Sequence, residues 1–99
     1  MSISVVTIRR GGTGEAMMAA TRKLKMASEK HGAESVSLSQ IMVGPDSGQW
    51  VIRIRCANWE VFGKMMQAAS NDPAAKEALA GLDAVSEVVV RRLTASLDL

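Results

Sequence analysis

Ninety-nine residues bound the chain to one domain, 1–99, with a modest core, since a chain this short buries only roughly 60–70% of the surface its unfolded form exposes. A hydrophobic fraction of 47% with 22% charged residues is that of an ordinary globular protein and excludes a mainly disordered one. A formal charge of +2, no tyrosine, one phenylalanine and no basic run beyond the doublets Arg9-Arg10, Arg22-Lys23 and Arg91-Arg92 exclude the usual footprint of a nucleic-acid binder.

The start, MSISVVTIRR, lacks the apolar stretch and cleavage site of a signal peptide, and no window approaches the ~18 apolar residues of a membrane span. The expectation is a cytoplasmic protein with no membrane partner. Residues 2–10 read as a strand: Ile3, Val5, Thr7 and Arg9 fall on one face and Ser4, Val6, Ile8 and Arg10 on the other. Both faces are largely apolar, so both are expected to be covered. Gly11-Gly12-Thr13-Gly14 ends the strand, and Thr13 is placed to cap a helix running to about Lys30, with Met17, Ala20, Leu24 and Ala27 on one face. The glycine cluster matches no phosphate-binding fingerprint, because Met17 stands where the last glycine is required, and an ordinary strand-to-helix turn is expected.

Residues 34–43 alternate again and predict a second strand, with Val36, Leu38 and Met42 on one side and Ser35, Ser37 and Ser39 on the other. Gly44-Pro45-Asp46-Ser47-Gly48 predicts a hairpin loop, after which QWVIRIRC predicts a third strand. Asn58 is a candidate cap for a second long helix, with Trp59, Phe62, Met66 and Ala69 as its apolar face. Asp72-Pro73 opens a short third helix, 73–82, built on Ala75, Ala78, Leu79 and Leu82. Residues 85–94 predict a fourth strand, and the last few residues a loose tail or a swapped edge segment. The single cysteine, Cys56, sits in an apolar run and is expected to be a buried, inert thiol in a reducing compartment. The methionine pairs Met17-Met18 and Met65-Met66 are read as adaptable packing.

The order β-α-β-β-α-β, with an extra short helix, predicts an α+β ferredoxin-like sandwich: a four-stranded antiparallel sheet with two helices on one face. A sheet apolar on both sides calls for a second copy against the other, giving a homodimer through sheet-to-sheet packing. This arrangement, and the segment GPDSGQWVIRIRCANWEVFGKMMQAASNDP above all, resembles the dimeric α/β-barrel superfamily, particularly its NIPSNAP-like and antibiotic-biosynthesis-monooxygenase-like members. The resemblance implies two chains stacked into a barrel, and one of several roles: cofactor-free oxygenase, haem degradation, isomerisation or ligand sensing. Haem-degrading members use a helix histidine on the iron. Here His31 stands alone at the end of the first helix, where an imidazole suits the helix C-terminus, so neither metal nor other cofactor is expected.

Six of seven arginines (Arg9, Arg10, Arg53, Arg55, Arg91 and Arg92) fall in strands, while all five lysines fall in helices. If Trp50, Ile52, Ile54 and Cys56 face the helices, Val51, Arg53 and Arg55 face the partner sheet. Ser37 and Ser39 join them. The expected inward set of the first and fourth strands is Val5, Thr7 and Arg9, with Glu87, Val89 and Arg91, an assignment open to reversal because both faces are apolar. The barrel interior so built either pairs its arginines with carboxylates across the dimer or holds a small organic anion. The leading expectation is a small-molecule-binding protein whose inter-sheet cavity uses Arg53, Arg55, Arg9, Arg91, Glu87, Thr7, Ser37 and Ser39. The alternatives are a cofactor-independent monooxygenase or isomerase, with Arg53 or Arg55 on an oxyanion and Glu87 as base, and an assembly module with a filled barrel.

Overall fold

The structure, a computed structural model, describes residues 1–97. Chain order gives β1 (Ile3–Arg10), α1 (Gly14–Lys30), β2 (Ser35–Gln40), β3 (Trp50–Cys56), α2 (Trp59–Ser70), α3 (Pro73–Val85) and β4 (Glu87–Ala95). The strands form one antiparallel sheet in the order β2-β3-β1-β4, so β1 and β3 are central. This is the ferredoxin-like α+β sandwich that the element order implies.

Local chemistry sets the helix starts. The Thr13 hydroxyl accepts from the Ala16 N–H at 3.1 Å, the Asn58 side chain from Val61 N–H at 2.9 Å, and the Asp72 carboxylate from Ala74 N–H at 2.9 Å, each satisfying a donor that the first turn leaves free. Between β1 and α1 the chain turns through Gly11 and Gly12, both at positive φ. A side chain at Gly12 would meet the Val85 carbonyl oxygen and the Met17 sulfur, each at 3.0 Å, so the turn is pressed against the end of α3.

The helical layer differs from expectation in which helices make it. The main core joins Met17 and Leu24 of α1, Ala78 and Leu82 of α3, and Val36, Trp50 and Ile52 of the sheet. The third helix, not the second, therefore lies beside α1. It also runs to Val85, because the apolar series Ala75, Ala78, Leu82, Val85 keeps helical spacing to that point and Val85 packs on the core; β4 accordingly starts at Glu87. Helix α2 contributes one buried side chain, Met65, which sits with Ala33 and Cys56 in a smaller cluster. Trp59 and Met66, expected on its buried face, are 56% and 49% exposed. At the other end of the chain Ser96 N–H donates to the Ser2 carbonyl at 3.0 Å, continuing the β1–β4 ladder, and Leu97 is exposed; residues 98 and 99 of the expected loose tail or swapped edge lie outside the described residues.

A polar clasp closes the corner between α1, α2 and α3. His31, the residue that ends α1, brings Nε2 to 2.6 Å from Asp72 Oδ2, and Lys30 Nζ lies 3.5 Å from the same oxygen. The hydrogen bond from His31, then that from the Ala74 N–H, holds the Asp72 carboxyl below its ordinary range.

Two expectations follow from these contacts. Gly12→Ala and Gly44→Ala both put a side chain at positive φ, at a cost of about 1–2 kcal/mol, but nothing lies within 4 Å of a side chain at Gly44. Urea denaturation should therefore show the larger loss for Gly12→Ala. For Asp72, whose folded pKa is depressed, the contribution to stability is present above the unfolded value of about 3.9 and is lost as pH falls through the lower folded value. Asp72→Asn keeps a capping side chain and removes the charge, so the wild type should be the more stable at pH 5–7 and the gap should close on acidification toward the folded pKa. A gap that does not change with pH would show that the ionised carboxylate adds nothing.

Candidate functional site

Register decides which strand side chains share a face, because directly opposed residues on adjacent strands project to the same side. Val36, Leu38, Ile52, Ile54, Val5 and Thr7 form the helix-covered face, with Val5 opposite Ile54, Thr7 opposite Ile52 and Leu38 also opposite Ile52. Arg9, opposite Trp50, belongs to it too, and so does Arg91, opposite Thr7. Arg53 is opposite Val6 and Ser37, Arg55 opposite Ser4 and Ser35, and Ser39 opposite Val51, all on the helix-free face.

The residues expected in one interior thus divide between two. Thr7, Arg9 and Arg91 lie under the helices, whereas Arg53, Arg55, Ser37, Ser39 and Glu87 lie on the other side of the sheet. Glu87 and Arg91 are four apart in β4 and share a face in a regular strand. Here the β1–β4 register shifts between Ile8 and Arg9: Ile8 opposes Val90 and Arg9 opposes Val88, which leaves Val89 unmatched, and beyond this irregularity Glu87 opposes Arg10. Glu87 pairs with Arg10 at 3.2 Å, and Arg55 with Glu34 at 3.5 Å, both exposed ion pairs of little energetic weight.

The helix-covered side holds a cleft of about 250 Å³. Val5, Ile52 and Ile54 form its floor, Leu24 and Ser28 of α1 one wall, Met65, Met66 and Ala69 of α2 another, and Ala75, Leu79 and Leu82 of α3 the third. Its polar groups are Thr7, Arg9, Arg91, Ser28, Ser70 and Lys76. The methionines and the α3 residues of this lining were not singled out as site residues by sequence reasoning. Their spacing is that of a packing face, and only the adaptable thioether pair at 65–66 hinted at a wall able to accommodate different shapes.

Arg9 is 2% exposed. Its Nη1 donates to Asp83 Oδ1 at 2.9 Å and to Ser86 Oγ at 3.3 Å, while its Nε is buried without a partner. Arg91 Nε donates to Thr7 Oγ1 at 3.3 Å, which brings a second guanidinium over the middle of the floor. Lys76 adds a third positive group, and no acid, histidine or cysteine is among the lining residues. An apolar cleft with positive charge along its floor and rim can take up an organic molecule bearing a negative or electron-rich oxygen.

The other sequence-flagged groups lie elsewhere. Cys56 is fully buried, its thiol directed to the Met65 sulfur at 3.6 Å, and burial first, then the nearby Glu34 charge, raises its pKa, so it is a packing residue and a poor nucleophile. His31 is taken up by Asp72. Among the described residues no three His, Cys, Asp or Glu side chains come together, and no helix is long and apolar enough to cross a membrane.

Neither the protein-family models nor the curated proteins yield a match. Solved structures do. A mutant form of SnoaB, a cofactor-independent oxygenase from Streptomyces nogalater, superposes with a TM-score of 0.74 at 11% identity, over 99% of this chain and 95% of that one. A nipsnap family protein of unknown function from Agrobacterium tumefaciens gives 0.69 at 14% identity, covering 94% and 84%. A candidate antibiotic biosynthesis monooxygenase from Chloroflexus aurantiacus gives 0.65 at 15% identity, covering 99% and 95%. The ferredoxin-like fold of this chain is thus the one found in proteins of the antibiotic-biosynthesis-monooxygenase and nipsnap types.

Proposed function

We propose that the chain binds a small organic molecule, anionic or oxygenated, in the cleft between sheet and helices, with Arg9, Thr7 and Arg91 as its polar contacts. One observation carries this reading: a buried guanidinium with an unpartnered Nε–H lines an otherwise largely apolar space. Buried donors without partners are rare in folded proteins, and an acceptor supplied from outside removes the penalty. The inter-sheet location expected from sequence is left without Arg9, Arg91 and Thr7, so Arg53, Arg55, Ser37 and Ser39 are assigned to the dimer face instead.

A second reading is a cofactor-independent monooxygenase or isomerase acting in the same cleft, favoured by the likeness to SnoaB. With no acid, imidazole or thiol in the lining, any proton transfer would fall to water or to the substrate itself. Binding is therefore the leading assignment. The helix-free face carries Ile8 between Val51 and Val90, three half-buried apolar side chains in one row, flanked by arginines. A second copy of this chain on that row makes the homodimer.

Protein-observed NMR with a panel of small aliphatic and aromatic acids, ketones and alcohols tests the cleft. Saturable shifts should appear at Ile52, Ile54 and Leu82, and Ala69→Phe, which fills the space from α2, should weaken binding at least tenfold. A panel without a saturable binder, or binders indifferent to that substitution, would refute the assignment. Light scattering should give a dimer at micromolar concentration and a monomer for Ile8→Glu; a wild-type monomer would remove the dimer.

A further inference from the structure

The chemistry at Arg9 narrows the ligand class, an inference that rests on the cleft being the ligand site. A guanidinium offers a carboxylate two edges for a parallel pair of N–H bonds, the end edge of Nη1 and Nη2 and the side edge of Nε and Nη2. At Arg9 the end edge is compromised, because Nη1 is held by Asp83 and Ser86. The side edge has no protein partner: Nε is buried without one, and Nη2 makes no hydrogen bond among the described residues.

Charge points the same way. Arg9, Arg91 and Lys76 line the cleft with no acid among the lining residues; the one acid on Arg9, Asp83, offsets it through Nη1 from outside the lining. A neutral carbonyl would satisfy one N–H of the free edge and leave the other. A phosphate or sulfate would satisfy both but bring further charged oxygens into a cleft walled mainly by apolar side chains. Two coplanar anionic oxygens fit both the edge and the walls.

Floor geometry sets the body of the ligand. Arg9, Thr7 and Val5 are alternate residues of β1, so the strand runs roughly 13 Å from the Arg9 backbone to that of Val5, which is paired with Ile54, at about 3.3 Å per residue. The far end of the floor is bounded by Val5, Ile54 and Met65, with Ser28 of α1, whose carbonyl accepts from the N–H of Ala33, on the same side. We propose that the physiological ligand is a monocarboxylate with an apolar body of medium length, its carboxylate lying side-on across Nε and Nη2 of Arg9 and its tail directed toward Met65.

Titration of the wild-type protein with octanoate, octanamide, 1-octanol and octyl phosphate tests this, with calorimetry for affinity and the Arg9 Nε–H resonance for contact. Octanoate should bind at least tenfold tighter than each of the others and shift the Arg9 Nε–H signal. Arg9→Lys keeps the charge but loses the fork, and should weaken octanoate at least tenfold and 1-octanol by much less. Equal affinity for octanoate and octanamide, an unshifted Arg9 signal, or preference for the phosphate would overturn the carboxylate assignment and leave the cleft as a ligand site. Absence of saturable binding by all four compounds would remove the cleft reading with it. Because the four-ligand comparison uses the wild type, it decides the matter even where Arg9→Lys does not fold.

Discussion

Arg9 is the cation around which the helical layer is arranged. It lies on the central strand β1, is almost wholly buried, and binds through Nη1 to Asp83 and Ser86 at the end of α3. Helix α3 has no basic residue of its own in its last turn, so the sheet supplies the positive charge that a helix C-terminus favours. Ser86 completes the arrangement by donating its hydroxyl to the Leu82 carbonyl at 2.8 Å, beside its own N–H, which donates to the same oxygen at 2.9 Å. A buried charge persists only with such partners. The ion pair is therefore a positional constraint: it brings the end of α3 down over the Arg9 end of the floor. The turn at Gly11-Gly12 packs under the same helix end. With α1 and α3 docked and α2 held mainly through Met65, a gap remains between helices and sheet, and the gap is the cleft.

What was legible in the sequence follows the range of the interaction that fixes it. Caps and turns are local, and Thr13, Asn58, Asp72-Pro73 and the Gly44–Gly48 loop lie where their chemistry placed them. Strand order followed from the element order. The choice between α2 and α3 as the second packed helix was not legible, since both carry apolar spacings of three and four, and the decision rests on which face finds α1. Ala75 and Ala78 are small enough to let α3 approach closely, whereas Trp59 and Met66 of α2 remain largely outside.

The site was half legible. Strand-borne arginines marked the right residue type, and the helix-covered parity of β3 was readable from Trp50, Ile52, Ile54 and Cys56, of which three are buried and Ile54 half-buried. Parity in β1 was not, because Ile3-Ser4-Val5-Val6-Thr7-Ile8 offers an apolar residue to each face and only pairing with β3 breaks the tie. In β4 even a correct start would have failed: the register shift near Val89 puts Glu87 and Arg91 on opposite faces. One unmatched residue therefore separates the only nominated acid from the arginine it was expected to accompany.

That separation bears on chemistry. With Glu87 across the sheet and no carboxylate, imidazole or thiol in the lining, the cleft has positive charge and no anionic or imidazole group to take up a proton. Three cations lower the energy of an anion already formed, but none can generate one by taking a proton. An acid that enters ionised makes no such demand. The arrangement of Arg9, Arg91 and Lys76 around an apolar floor thus suits recognition of a pre-existing anion, and an enzyme built on it would have to draw its reactivity from a substrate acidic enough to ionise unaided.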